Sequence, residues 1–423
     1  MIEGENALEM GYGIANFKAL REREFCCVDK TGFIEKLERY SDYLAFFRPR
    51  RFGKSLFLST LEYYYDYKYK DDFDELFKGT WIGEHPTKER NSYSVLRLDF
   101  SGCSLGEKLE YKFSSRLVTC FKGFLKRNNL DLTISLDELA RNNPPDLVAE
   151  VFFTAMSSML EHPIYLLIDE YDYFANGVFE KHSDALKEVL GSFGFVRNFY
   201  SIVKYKTNDC TIKKIFITGV SPLVLDKISG DFNIVSNISQ NPIFHDMMGF
   251  TTDEVRMYAS KTLPHLDNDM DIERAVEKLK CLYDGYRFSF GEASNLLNPG
   301  MAIWFLSEYP QMEYLGIDLI DPQVYGDRSK LEVFAKSVES IIIFASLAKS
   351  ASVAVSFNPF YGMPHDSYSF LIYSMFYRGL LTIADVRDDM AVFKLPNTAY
   401  KKIFDDYLNF NEHQYNSSLF LGI

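Results

Sequence analysis

Short apolar runs separated by longer amphipathic stretches set the pattern of the first half of the chain. Tyr43 to Phe47 is continuously apolar, and Val95-Leu96-Arg97-Leu98-Asp99-Phe100 is apolar with an acidic end. Ile164-Tyr165-Leu166-Leu167-Ile168 runs straight into Asp169 and Glu170. Lys214-Ile215-Phe216-Ile217-Thr218-Gly219-Val220 and a short piece at 234–238 complete the set. Runs of this length and continuity read as strands buried on both faces of a parallel sheet. Between them the apolar spacing changes to three and four. Leu56, Phe57, Leu58, Leu61 and Tyr64 share such a spacing, as do Phe113, Leu117, Phe121, Phe124 and Leu125. A helix follows Asn142-Asn143-Pro144-Pro145 up to about residue 160, and another carries Leu186, Val189, Leu190, Phe193, Val196, Phe199, Tyr200 and Val203. Strands alternating with helices predict an α/β fold with both sheet faces covered.

The flanks read differently. Residues 25–28 give a strand-like piece, and Asp29 caps a helix with Phe33, Ile34 and Leu37 on one face. This segment either packs on the base of a nucleotide or simply covers the core. From Thr251 the pattern turns helical, with a capped start at 252–258 and a second helix at 272–282. Tyr283-Asp284-Gly285-Tyr286-Arg287-Phe288-Ser289 then forms a loop. Its Arg287 is either a charge clamp for phosphates or part of an aromatic stack. The C-terminal part predicts a helix at 367–377 stopped by Gly379, a strand at 380–386, a turn at Asp388-Asp389, a strand at 391–395 and a last helix after Pro396-Asn397. Helix, hairpin, helix resembles a winged helix. Domain boundaries are expected at 1–250, 251–330 and 331–423.

Composition narrows this picture only slightly. The chain has 423 residues, 47% hydrophobic and 25% charged, as expected of a globular protein. With 37 Phe and 28 Tyr, a phenylalanine-rich core accounts for the 16% aromatic content more simply than an RNA-stacking surface does. A formal net charge of −13 removes any global pull toward nucleic acid. The six Cys form no C-x-x-C and no His stands at metal-ligand spacing, so reduced thiols in the cytoplasm are expected. The start, M-I-E-G-E-N, has no apolar signal core, and the run at 341–348 is too short to cross a bilayer. No membrane association is expected.

The chemistry concentrates at Arg48-Pro49-Arg50-Arg51-Phe52-Gly53-Lys54-Ser55. A tight loop between a strand and a helix can offer amide hydrogens and a helix N-terminus to phosphate oxygens. Arg50, Arg51, Phe52, Gly53, Lys54, Ser55 and Leu56 would then cradle the nucleotide. Lys54 would reach the outer phosphates and the Ser55 hydroxyl would hold Mg²⁺. The consensus G-x-x-x-x-G-K-[ST] asks for Gly where this chain has Arg48, and Pro49 biases Arg48 toward an extended backbone. The bland alternative is a basic turn at a helix start. Asp169 and Glu170 end a buried strand, where such sheets bind ligands. Asp169 is the candidate metal residue and Glu170 the candidate general base, with Asp172 as a supporting or capping group. Thr218 ends the next strand and is either a sensor of the terminal phosphate or an ordinary strand threonine.

The ordered set of motifs resembles the predicted AAA-ATPase-like proteins, which are often fused to a PD-(D/E)XK nuclease domain. The resemblance rests on V-D-K-T at 28–31, R-P-R-R-F-G-K-S at 48–55, L-L-I-D-E-Y-D at 166–172 and F-I-T-G-V-S-P at 216–222. F-N-I-V-S-N-I-S at 232–239, G-F-T-x-x-E-V at 249–255 and Y-D-G-Y-R-F-S at 283–289 also match. It implies a P-loop NTPase core of the additional-strand type, with the Thr218 strand between the Arg48 and Asp169 strands, a helical lid and a C-terminal winged-helix-like α+β region. It implies that Arg48 is usual for the family, and that ATP and Mg²⁺ are the cofactors.

Two functions compete. One is an ATP-hydrolysing regulatory switch in which Lys54, Glu170 and Thr218 act on the nucleotide. The other is a nucleotide-bound scaffold with little or no hydrolysis. Either implies a protein partner, which would be a separate nuclease or a second copy of the chain. Arg51, Arg197 and Arg287 stand as equal candidates for an arginine finger. After Asn397 no E…D-x-E/Q-x-K pattern occurs. Lys401, Lys402, Asp405, Asp406 and Glu412 read as the solvated face of an amphipathic helix, so neither nuclease activity nor strong nucleic-acid binding is expected.

Overall fold

The computed structural model describes residues 8–103, 108–175, 189–191, 194–263, 269–291, 294–317, 320–335, 338–356, 364, 366–387 and 389–410. Strands β1 (Tyr43–Phe47), β2 (Ser94–Asp99), β3 (Ile164–Asp169), β4 (Ile212–Gly219) and β5 (Ser236–Asn237) form one sheet in the order β2-β3-β4-β1-β5. Every pairing is parallel. The two-residue period of the strands sorts their side chains cleanly. Leu44, Phe46, Val95, Tyr165, Leu167 and Phe216 share one apolar cluster with Phe57, Leu58, Leu61 and Tyr64 of the helix Lys54–Tyr65. Ala45, Phe47, Leu96, Leu98, Leu166, Ile168, Ile215 and Ile217 share the other, with the helices Leu109–Asn128, Pro145–Met159 and Phe195–Asn208. Burial on both faces is why the runs read as continuous rather than alternating. The aromatic residues do belong to the core, where Phe121 stacks on Phe152 at 3.8 Å and Phe100 on Phe113 at 4.5 Å.

Strand β4 lies between β1 and β3, as the resemblance implies. Their C-terminal ends are locked together, with Arg48 N donating to Gly219 O (3.3 Å) and Tyr171 N to Thr218 O (3.1 Å). Three motif-bearing loops therefore emerge side by side on one edge of the sheet.

Beyond the sheet, Thr251 and Glu254 form a reciprocal capping box at the helix Thr252–Thr262, and the helices Asp269–Tyr283 and Pro299–Leu315 follow. The C-terminal part holds the helices Val338–Ser350, Ser367–Tyr377 and Thr398–Phe410 around a three-stranded antiparallel sheet. Gly379 has φ +78°, ends its helix, and would place a Cβ 3.0 Å from Pro49, so only glycine fits where this part meets the 48–53 loop. The side chains of Asp405 and Asp406 are exposed opposite buried Ile403 and Phe404, an amphipathic helix.

Several expectations change. Residues 25–28 make only an isolated bridge, Met10 to Cys26, because this segment lines a cavity rather than joining the sheet. Asp29 does not cap the helix Phe33–Tyr40, whose N-cap is Gly32. It accepts from Thr31 N (2.8 Å) and from Trp81 N (2.6 Å), tying the segment to a helix start far along the chain. Residues 283–289 are not all loop, since β6 (Asp284–Tyr286) pairs antiparallel with β7 (Leu296–Leu297). Strand β8 (Ser352–Ser356) is an addition, pairing with β10 (Met390–Lys394), which also pairs with β9 (Thr382–Arg387). Leu186, Phe193, Asp388 and Glu412 lie outside the described residues.

Candidate functional site

The 48–53 loop is held from outside by its carbonyls. Lys54 Nζ donates to Arg48 O and Pro49 O, both at 3.1 Å. Asn298 Nδ2 donates to Arg50 O (3.0 Å), and Gly300 N to Arg51 O (3.2 Å). The amides of Gly53, Lys54, Ser55 and Leu56, at the start of the helix, have no hydrogen-bond acceptor among the described residues. A helix start with orphan donors beside a lysine is suited to a phosphate group. Gly53 has φ +90°, which a side chain would strain. Arg51 (φ +68°) and Glu170 (φ +50°) are non-glycine residues in the left-handed region, and both line the same cavity. Strained backbone of this kind collects at functional sites.

Arg48 occupies the consensus glycine's place without filling the loop. Its side chain is buried and turned away, donating to Ser239 O (2.7 Å), Phe47 O (3.0 Å) and His245 O (3.1 Å). The guanidinium lies between the rings of Phe46 (4.1 Å) and Phe288 (4.4 Å). Burial pulls its pKa down to about 9, so it keeps its charge at neutral pH. Arg48 fastens the strand end to the loop after β5 and does not line the cavity.

The loop opens on a cavity of about 1030 Å³. Its polar lining includes Lys54, Ser55, Arg97, Asp169 and Glu170, and its apolar lining Ile14, Val28, Met248 and Phe250, with Tyr12. The N-terminal segment is thus a wall of the cavity, and its V-D-K-T stretch is fixed there. Lys30 Nζ donates to Asp246 O (2.7 Å) and pairs with Glu254 (2.5 Å), and Thr31 Oγ1 accepts from Ile82 N (3.1 Å).

Asp169 is buried and receives three donors. Thr218 Oγ1 (2.9 Å) and Glu170 N (3.1 Å) reach Oδ1, and Arg97 Nη2 (2.9 Å) reaches Oδ2. Glu170 Oε1 lies 4.0 Å from Lys54 Nζ. Burial pushes the Glu170 carboxyl above the usual glutamate range; Lys54 opposes this, while Asp172 and Asp169 reinforce it. A carboxylate with raised basicity suits proton abstraction from water. Ser55 and Asp169 offer only oxygen ligands, the donor set of a hard dication such as Mg²⁺. Among the described residues no cluster of three His, Cys, Asp or Glu could form a metal cage, so such an ion would share its shell with phosphates and water.

The remaining candidates sort by position. Arg50 is exposed and lines the cavity; Arg51 lines it and is paired with buried Asp321. Leu56 lines it too, while the Phe52 ring packs edge-on against Tyr286 and Phe288, each at 5.2 Å. Asp172 is fully buried and accepts from Val220 N (3.0 Å) and Ser221 N (2.8 Å), which makes it the anchor of the loop after β4. Thr218 does not line the cavity; its hydroxyl donates to Asp169 Oδ1. Arg197 is paired with Asp231, and Arg287 donates to Ala384 O, so neither stands at the cavity. Arg97 is the residue that sequence reasoning passed over. A lone cation inside the apolar run of β2 was the available signal.

A sheet of this order carrying a lysine-tipped helix start opposite two strand-end carboxylates is the layout of a nucleotide-binding α/β protein. The family described as "Predicted AAA-ATPase" matches residues 11–229, just over half of the chain, and the chain belongs to that family. The chain is also 27% identical over 286 residues to an "Uncharacterized protein in vnfD 5'region" from Azotobacter chroococcum mcd 1. That similarity takes in 66% of this chain but 49% of the relative, so the chain spans about half the length of the curated protein it matches.

Proposed function

We propose that this protein binds ATP with Mg²⁺ at the 48–55 loop and hydrolyses it, using the cycle as a conformational switch. The observation that carries the reading is the run of amides from Gly53 to Leu56 that find no acceptor among the described residues, next to Lys54 and lining one cavity with Asp169 and Glu170. In this reading residues 1–250 are a P-loop core of the additional-strand type, favoured by the position of β4. Residues 251–330 act as a helical lid, and 331–423 as a winged-helix-like unit.

Lys54 and the loop amides hold the outer phosphates. Ser55 and Asp169 would hold Mg²⁺, which when bound neutralises phosphate charge. Glu170 orients water and takes its proton. Thr218 and Arg97 are positioning residues that aim Asp169. The apolar lining from the N-terminal segment and Met248–Phe250 takes the base. The product state is read by a protein partner, a separate nuclease or a second copy of the chain. Free cysteines suit a reducing compartment such as the cytoplasm, and no described helix is long and apolar enough to cross a membrane.

One observation favours the scaffold alternative. The Arg97–Asp169 pair partly neutralises the carboxylate meant for metal, which would slow turnover. Thermal melts test the binding claim. Mg-ATP at a hundredfold excess over Kd should stabilise the wild type by about 2.7 kcal/mol. Asp169→Asn should keep the increment given by ATP with a chelator and lose most of the part added by Mg²⁺. Equal Mg²⁺ dependence in both proteins would remove Asp169 from the metal site.

A further inference from the structure

Arg97 stands near the end of β2, and its partner is the carboxylate assigned to the metal. The alternation of the strands brings the two together. Val95, Leu167 and Phe216 share the apolar cluster under the helix Lys54–Tyr65, so Arg97, Asp169 and Thr218, each two residues further along, face that same helix. The Arg97 guanidinium reaches the helix start. Its Nη2 donates to Asp169 Oδ2 (2.9 Å) and lies 3.5 Å from Ser55 O. It is the one side-chain cation paired with Asp169 among the described residues.

Asp169 Oδ1 already accepts from Thr218 Oγ1 and Glu170 N, so Oδ2 is the oxygen left for a metal, and Arg97 holds it. A guanidinium and a dication at one carboxylate repel each other, and water screens little where the Asp169 side chain is 3% exposed. Glu62 supplies the other half of the geometry. Its Oε1 accepts from Arg127 Nη1 (3.0 Å). Its Oε2 accepts no hydrogen bond among the described residues and lies 3.8 Å from Arg97 Nη1. The planar fork therefore spans two carboxylates, bonded to one and just short of the other. A small movement along the sheet face exchanges Asp169 for Glu62 without leaving a buried charge unpaired.

We propose that Arg97 is an internal cation that holds Asp169 until a divalent metal arrives with the nucleotide, and then moves to Glu62. The inference rests on the reading of Asp169 as a metal residue and deepens it. Arg97 becomes a positioning residue with two stations, and the ligand is specified: the site takes the metal–nucleotide complex and disfavours the free ion. Phosphate oxygens bring the dication ligands of their own and offset the cost of displacing Arg97. A bare ion has to displace it for Asp169 alone.

The test needs neither nucleotide nor turnover. Mn²⁺ is the probe, with the free ion counted by electron paramagnetic resonance in titrations of the full chain. Arg97→Gln should bind Mn²⁺ about tenfold more tightly than the wild type, or better. Adding Asp169→Asn to Arg97→Gln should abolish the gain. With a non-hydrolysable ATP analogue present, the wild type and Arg97→Gln should come within about threefold of each other, because the phosphates now supply ligands. Arg97→Lys, whose shorter ammonium cannot span both carboxylates, should fall between the two, and it carries the test if the glutamine variant does not fold. Equal Mn²⁺ affinity in the wild type and the folded Arg97 variants would overturn the proposal, and so would a gain that survives Asp169→Asn. The metal reading itself is judged separately, by the Mg²⁺ part of the nucleotide-dependent melt that Asp169→Asn removes. That loss, with no gain from Arg97→Gln, sinks the inference alone.

Discussion

Glu170→Gln is expected to bind Mg-ATP like the wild type and to lose hydrolysis by about 10²–10⁴-fold, the usual worth of a general base. The side-chain amide is nearly isosteric with the carboxyl, so the left-handed turn at Glu170 and the hydrogen bond that its backbone N–H donates to Asp169 Oδ1 persist. What disappears is the ability to accept a proton. The same residue sets the acid limb of the pH profile. Its pKa is raised in the folded chain, chiefly by burial, so the active carboxylate is lost at a higher pH than an ordinary glutamate would allow. Turnover should fall as pH drops through that raised value. Phosphate release measured across pH for both proteins checks this. A variant that turns over as fast as the wild type would leave Glu170 without a role and make slow or absent hydrolysis the better account.

A second large effect is expected at Arg48. Replacing it by glycine brings the loop closer to the consensus, yet Arg48→Gly should destabilise the fold by about 3 kcal/mol or more. The buried carbonyls of Phe47, Ser239 and His245 lose their donor, and a void opens between Phe46 and Phe288. Recovery of the desolvation cost of the buried guanidinium offsets only part of this. Arg48→Met, which refills the volume but not the hydrogen bonds, should fall between the two. Denaturant melts give the comparison, and a glycine variant as stable as wild type would mean the clamp is idle.

Arg48 also illustrates what a linear reading can and cannot see. The 48–55 loop, the strands and most helices were legible because burial on both sheet faces leaves unbroken apolar runs such as 164–168. The role of Arg48 was not, because its partners Ser239 and His245 stand 191 and 197 residues away. Asp29 is a second case: its neighbours predict a local cap, whereas its carboxylate accepts from Trp81 N, 52 residues away. Strand β8, S-V-A-V-S, is too short and too poor in large apolar residues to announce itself, and exists because β10 offers it an edge. Arg97 was not legible because its partner Asp169 stands 72 residues away on the neighbouring strand. Here it lies on the sheet face covered by the helix Lys54–Tyr65, beside Glu62, and reaches Asp169, where Thr218 is already bound. The motifs located the site, while the contacts between motifs decided which residues face the cavity and which only hold others in place.

The central claim, that the helix start at Lys54 takes the phosphates of ATP, is tested most directly by calorimetric titration of the full chain with a non-hydrolysable ATP analogue and Mg²⁺. Wild type should bind one nucleotide per chain, and Lys54→Ala should bind it about a hundredfold more weakly or not at all, because a charge-assisted contact to the outer phosphates is gone. No heat from the wild type, or the same affinity in both proteins, would contradict the account.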